Sequence, residues 1–148
     1  MNPVTQTIIL SASTLRMLPH IAIYLLHRKD IDADLTQVQD RRAGVLNFIK
    51  ACTRERTFRN LFYYRIGEYL SAPIRWMLPG ERTLNIWCPS IGKGAHLEHA
   101  YATYLNAEGI GERFYCLQMV TLGNGKGGRP TLGDDVEIYT GATVFGGV

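Results

Sequence analysis

From Ile91 to Val148 the apolar residues fall into steps of six. Ile91 and Leu97 are followed by Ile110, Cys116 and Leu122, and then by Leu132, Ile138 and Val144. A helix would repeat every 3.6 residues and a half-buried strand every two, so neither accounts for the step. A six-residue step predicts short strands wound into a β-solenoid. Neighbouring slots agree. Gly92, Gly111, Gly123 and Gly133 follow the apolar residue, with Glu98 in the same slot, and Ala95, Val120, Val136, Ala142 and Val148 stand four places after it.

The register breaks twice. Leu97 to Ile110 is thirteen residues, one more than two repeats, which places an extra residue near Tyr101–Tyr104. Leu122 to Leu132 is ten, which pushes Asn124-Gly125-Lys126-Gly127-Gly128-Arg129-Pro130 out of the coil as a loop. Insertions in repeat architectures map to the surface, often on the binding face. A mobile, Gly-rich, basic loop offers N–H donors to a phosphate-bearing ligand. The same composition also makes a plain solvated turn, which composition alone favours.

Before the coil the pattern is helical. Between Asp34 and Leu70, Val38, Val45, Leu46, Ile49 and Cys52 form one apolar stripe, with Asp40, Arg41, Arg42 and Lys50 off it. A second helical piece carries Phe58, Leu61, Phe62, Arg65, Ile66, Tyr69 and Leu70, and its aromatic density predicts core or subunit packing. Pro73 and Pro79-Gly80 punctuate the chain before the coil opens near Leu84. The predicted organisation is a helical region over 1–83 and a β-solenoid over 84–148.

Composition narrows the function classes. The chain has 148 residues, 46% of them hydrophobic and 20% charged, within the ordinary range of globular proteins. A net charge of +3 is too mild to argue for nucleic acid. Lys93, Arg113, Lys126 and Arg129 nevertheless put positive charge on the coil, which favours an anionic ligand. Cys52, Cys88 and Cys116 show no C-x-x-C pair and no framework spacing, so a reducing cytoplasm is expected, with Cys116 in the core. Met1–Leu10 lacks the basic start of a secretory signal. The apolar run Met17–Leu26 is too short to span a bilayer. It reads as a buried or oligomer-facing helix, with a membrane-surface helix as the alternative.

One short sequence carries chemistry. Leu97 points inward, so Glu98 and His99 lie at a corner facing out. Neutral imidazole is the usual general base near neutral pH, able to deprotonate a hydroxyl as it attacks an acyl carbonyl. Glu98 beside it can raise that basicity or bind a cationic acceptor group. His96 is three residues away, but the other histidines, His20 and His27, lie in the helical half. A three-His zinc site would need a neighbouring subunit's histidine, and no metal is expected.

The coil resembles the serine acetyltransferase group of hexapeptide-repeat acyltransferases. The resemblance runs through Ser90-Ile91-Gly92-Lys93-Gly94, Leu97-Glu98-His99-Ala100 and Val120-Thr121-Leu122-Gly123 with its Gly-rich loop. It continues through Arg129-Pro130-Thr131-Leu132-Gly133-Asp134-Asp135-Val136 and Gly141-Ala142-Thr143-Val144. The lead-in Phe58–Gly67 is similar to that of relatives associated with polysaccharide gene sets.

What the resemblance implies is a left-handed parallel β-helix and an acetyl-CoA-dependent O-acetyltransferase working as a homotrimer, with L-serine or a similar small hydroxyl acceptor. His99 would be the general base, with Glu98 beside it. Thr121, Gly123, Gly141 and Ala142 would line the pantetheine path, Lys126 would meet phosphate, and Arg129 a phosphate or the acceptor's carboxylate. Asn85 is the nearest counterpart of the family's acid that orients the base, and Arg129 stands where the family has a second histidine before the loop proline. Relatives also carry further coils beyond the position of Val148, so the sequence reads as a possible fragment. Two other readings stay open: a sugar O-acetyltransferase of surface-polysaccharide synthesis, and a non-catalytic β-helix that only assembles.

Overall fold

The computed structural model describes residues 16–38 and 42–147. The readings on Met1–Leu10, Asp40, Arg41 and Val148 fall outside them. The helical part comprises α1 (16–26), α2 (Arg28–Gln37), α3 (Val45–Arg54) and α4 (Arg56–Ser71). The coil comprises β1 (Leu84–Ile86), β2 (His96–Leu97), β3 (Thr103–Leu105), β4 (Gly109–Ile110), β5 (Tyr115–Cys116), β6 (Thr121–Gly123), β7 (Thr131–Leu132), β8 (Glu137–Ile138) and β9 (Thr143–Phe145).

The strands stack in parallel into three faces, β1-β3-β6-β9, β2-β5-β8 and β4-β7. Each interior row is one residue per rung: Leu97, Cys116 and Ile138 on one face, Ile110 and Leu132 on another, Leu105, Leu122 and Val144 on the third. The six-residue step is therefore one face of a three-sided coil, and Cys116 is buried in its core, where burial pushes its thiol up to about 12.

The first register break differs from the single extra residue expected near Tyr101–Tyr104. Leu105 holds the interior place between Leu97 and Ile110, eight residues after one and five before the other. Two residues are thus gained at the corner after Leu97 and one is lost at the next. The gain contains His99 and Ala102, both with positive φ.

The glycine slot has a steric reason. A Cβ built on Gly92 would overlap the Gly111 carbonyl carbon, and one on Gly111 would overlap that of Gly133. Backbones of successive rungs meet there with no room for a methyl group. Gly111→Ala should cost about 1–3 kcal/mol as overpacking against backbone that cannot yield. A lowered urea midpoint with unchanged slope checks it.

Leu46, Tyr69 and Leu70 depart from the positions their spacing assigns. Leu46, placed on the apolar face by its spacing, is 75% exposed, while Phe48, Ala51 and Cys52 are buried. Phe48 stacks on Tyr24 at 4.3 Å and meets Phe62 edge-on at 5.1 Å, so the aromatic cluster sets the rotation of α3. Tyr69, read as packing, is 98% exposed, and Leu70 is also exposed. The cause is Gly67, whose φ of 77° breaks the helical path inside α4 and rotates its last turn off the core. The Met17–Leu26 run is two-sided: Met17, His20 and Tyr24 are buried, whereas Leu18, Leu25 and Leu26 face outward. No helix among the described residues is long and apolar enough to cross a membrane.

His20 is a buried imidazole whose Nε2 lies 3.0 Å from the Tyr63 hydroxyl, which itself donates to the Leu78 carbonyl at 2.6 Å. Nε2 therefore donates, and Nδ1 is buried with no hydrogen-bond partner among the described residues. Burial, with Arg59 nearby, pulls the His20 pKa below its ordinary 6.5. The unfolded chain then takes up a proton at a higher pH than the folded one. Stability is full above about pH 6.5 and falls as the pH drops toward the folded value. Urea midpoints at pH 7.5 and 5.5 should differ in the parent and differ less in His20→Leu.

Helix α4 belongs to both cores. Phe58, Phe62, Tyr63 and Ile66 pack into the helical cluster, while Leu61 and Tyr64 pack against the coil. The helices are thereby held at one end of the coil, beside its first two rungs.

Candidate active site

Leu97 and Ala100 are both buried, so the two residues between them must project outward. His99 takes φ 50°, a left-handed conformation uncommon for a residue with a side chain. Its carbonyl accepts a hydrogen bond from the Tyr101 amide at 2.6 Å, which closes the turn. The imidazole is 77% exposed, with Nε2 3.9 Å from Glu98 Oε1. That separation is electrostatic contact and too long for a hydrogen bond.

The other Glu98 oxygen is fixed. Tyr115, one rung along on β5, donates its hydroxyl to Glu98 Oε2 at 2.6 Å. Burial together with the Glu98 carboxylate pushes the Tyr115 pKa up to about 12, so it remains a donor at neutral pH. His96 meets the Tyr115 ring edge-on at 5.5 Å and braces it from the rung below. Sequence spacing singles out Glu98 and His99 but misses Tyr115, because its partner sits seventeen residues away on another rung.

His99 and Glu98 open onto a pocket of about 190 Å³ whose far wall is the α3–α4 junction. Arg54 and Arg56 line that wall, with Glu81 and Tyr101 at its sides. None of these four was among the sequence candidates. The only signal was a charged Arg54-Glu55-Arg56 run, indistinguishable in sequence from a solvated helix end.

The remaining candidates divide into three groups. Asn85 lies on β1 in register with Tyr104, and lines a larger cleft of about 740 Å³ with Tyr64, Glu68, Arg75 and Trp87. It therefore faces a different pocket from His99, the two sharing only Glu81. Thr121 and Ala142 are brought together, the Thr121 amide donating to the Ala142 carbonyl at 3.0 Å. Gly141 precedes Ala142 at a corner with φ 77°. Gly123 is covered: the Phe145 ring occupies the place a Cβ would take.

The third group is the Gly-rich loop. It is a tight hairpin, with the Gly125 and Gly128 amides donating to each other's carbonyls at 2.9 and 3.1 Å. Two of the N–H groups expected to await a ligand are therefore used within the loop. Arg129 is engaged as well. Its Nη2 and Nε lie 2.6 and 3.0 Å from Glu108 Oε2, with Nη1 3.4 Å from Asn106 Oδ1. Lys126 is exposed at the hairpin tip. Among the described residues, no group of three or more His, Cys, Asp or Glu converges as a metal site.

Solved structures share this arrangement of helices and coil. Serine acetyltransferase of Neisseria gonorrhoeae, solved with serine, superposes with a TM-score of 0.58 at 20% identity, over 84% of this chain and 57% of that one. The enzyme of Brucella abortus gives 0.58 at 21% identity, over 80% and 54%. Isoform 3 of Entamoeba histolytica, solved with cysteine, gives 0.56 at 22% identity, over 85% and 50%. The fold is that of the serine acetyltransferases.

The coil is accordingly the left-handed parallel β-helix of the hexapeptide-repeat transferases. The chain spans about half the length of these serine acetyltransferases. No family model and no curated protein matches it.

Proposed function

We propose that the chain is an acetyl-CoA-dependent O-acetyltransferase with His99 as its general base. The observation that carries this reading is the outward His99 imidazole beside Glu98, itself held by Tyr115, at the mouth of a pocket on a serine acetyltransferase fold. In the reaction the imidazole takes the proton of the acceptor hydroxyl as its oxygen attacks the thioester carbonyl. The C–O bond forms, the C–S bond breaks, and the imidazolium returns its proton to the departing thiolate. The Glu98 carboxylate lies 3.9 Å from that imidazole.

The acetyl-CoA path runs, in this reading, along Thr121, Gly141 and Ala142, where side chains are small. Lys126 supplies a cation for phosphate. Gly123 joins the path once the Phe145 ring moves aside. Arg129 reaches the acceptor only by leaving Glu108, and Asn85 acts from the neighbouring cleft. The working unit is a cytoplasmic homotrimer, in keeping with the unpaired cysteines and with the exposed Tyr101, Tyr104, Met119 and Tyr139 on the coil.

The test is thiol release from acetyl-CoA, with L-serine and with a panel of sugars as acceptors. Serine-dependent release supports the reading, and release with sugars alone moves the acceptor to a saccharide. A folded protein that releases thiol with neither is not this enzyme.

A further inference from the structure

We propose that the α3–α4 junction reads the acceptor, with Arg54 and Arg56 taking its anionic group and Glu81 its cationic one. This inference rests on His99 as the base that meets the acceptor hydroxyl. It assigns the specificity of the site to the helical part, whereas the chemistry sits on the coil.

The lining of the pocket beside His99 carries both signs of charge, Arg54 and Arg56 together with Glu55, Glu81 and Glu98. Arg54 closes α3 and Arg56 opens α4, so both guanidiniums project from the same bend. Neither makes a hydrogen bond or ion pair among the described residues. Three neighbouring arginines are spent: Arg59 on the Cys52, Thr53 and Pro79 carbonyls, Arg65 on Asp34, and Arg75 on Glu68.

Two of the lining carboxylates are oriented. Glu81 Oε1 accepts from the Thr83 amide at 3.0 Å and from the Thr83 hydroxyl at 2.8 Å. Those bonds hold its pKa below the ordinary carboxylate value, with the Arg56 charge adding to them. Glu98 is held by Tyr115. Two oriented carboxylates, two guanidiniums that make no hydrogen bond among the described residues, and the His99 imidazole in one lining match a small molecule bearing both charges and a hydroxyl. A pocket of about 190 Å³ suits a hydroxy amino acid, not an oligosaccharide. A neutral sugar would use neither arginine.

The experiment is calorimetric titration of the full chain with four probes: L-serine, glycerate without the ammonium, ethanolamine without the carboxylate, and glucose. L-Serine should bind tightest. Each single-charge probe should bind about tenfold or more weakly, the worth of one charged hydrogen bond. The R54A/R56A double variant should lose a similar factor for L-serine and nothing for ethanolamine. R54K/R56K should recover part of the loss. Glu81→Gln should weaken L-serine and leave glycerate unchanged. Both arginines are exposed, so these losses will not come from unfolding.

Unchanged L-serine affinity in the double variant overturns the proposal, as does wild-type protein that binds glucose alone or none of the probes. L-Serine that binds through Arg54 and Arg56 without being acetylated refutes the transferase reading while leaving the pocket standing. Acetylation of L-serine that ignores both arginines does the reverse.

Discussion

Arg65→Ala should lower unfolding stability by about 3–5 kcal/mol at neutral pH, because it leaves a buried carboxylate without its partner. The Arg65 and Asp34 side chains are 9% and 2% exposed. The guanidinium clasps Asp34 with Nε to Oδ2 at 2.8 Å and Nη2 to Oδ1 at 2.9 Å, and spends its remaining donors on the Ile91 and Gly92 carbonyls. Asp34 Oδ1 also accepts the Ala95 amide at 2.9 Å. One ion pair thus joins α2, α4 and the first coil.

The pH dependence of that loss has a definite sign. Burial pushes the Asp34 pKa above its ordinary 3.8, against the pull of Arg65 and the Ala95 and Gly94 amides. Removing Arg65 leaves burial less opposed and raises it further. A carboxyl whose folded pKa exceeds its unfolded one stabilises the fold as pH falls through that interval and costs stability as pH rises through it. The Arg65→Ala deficit should therefore shrink in mild acid. A double Asp34→Ala/Arg65→Ala variant should lose less than the two single losses added together, since no lone charge remains. Denaturant midpoints of the four proteins measure both effects. Additive single losses, or a deficit that grows in acid, would show that the pair is not coupled as described.

The second large effect is on activity. His99→Ala should reduce acetyl transfer by about 10²–10⁴-fold, the usual worth of a positioned general base. Leu97 and Ala100 anchor the turn from inside, and the imidazole is exposed, so the variant should keep the parental circular dichroism spectrum. The loss should appear in kcat, with acceptor affinity changed much less, because the imidazole acts on the proton in flight. Tyr115→Phe separates base from support. It frees Glu98 without touching His99 and should give a smaller loss of kcat. Transfer that survives His99→Ala would sink the general-base assignment.

How much of the molecule is legible in its sequence differs by region. The coil is readable because its determinants are local: each six-residue unit carries its own inward residue and its own corner. Leu97, Cys116, Leu122 and Ile138 can be placed in the core, and Glu98 and His99 outside it, from spacing alone. Even there the Leu97–Ile110 interval misleads, since a net excess of one residue hides a gain of two and a loss of one. The helical part is less readable. Leu46 and Tyr69 satisfy the period and still end outside, because the rotation of α3 follows the Tyr24–Phe48–Phe62 stack and α4 turns off its path at Gly67.

By itself, then, the sequence determined the coil, its outward loop and the exposed corner bearing His99, because a repeat writes burial into a period. The tertiary structure alone decided what stands opposite that corner. The Asp34–Arg65 clasp spans thirty-one residues and the Tyr115–Glu98 bond seventeen, and no periodicity encodes either. The same holds for the α3–α4 junction across from His99. Its arginines reach the pocket only because α4, shared by two cores, docks the helices beside the first rungs, and that placement arises from packing between segments remote in the chain.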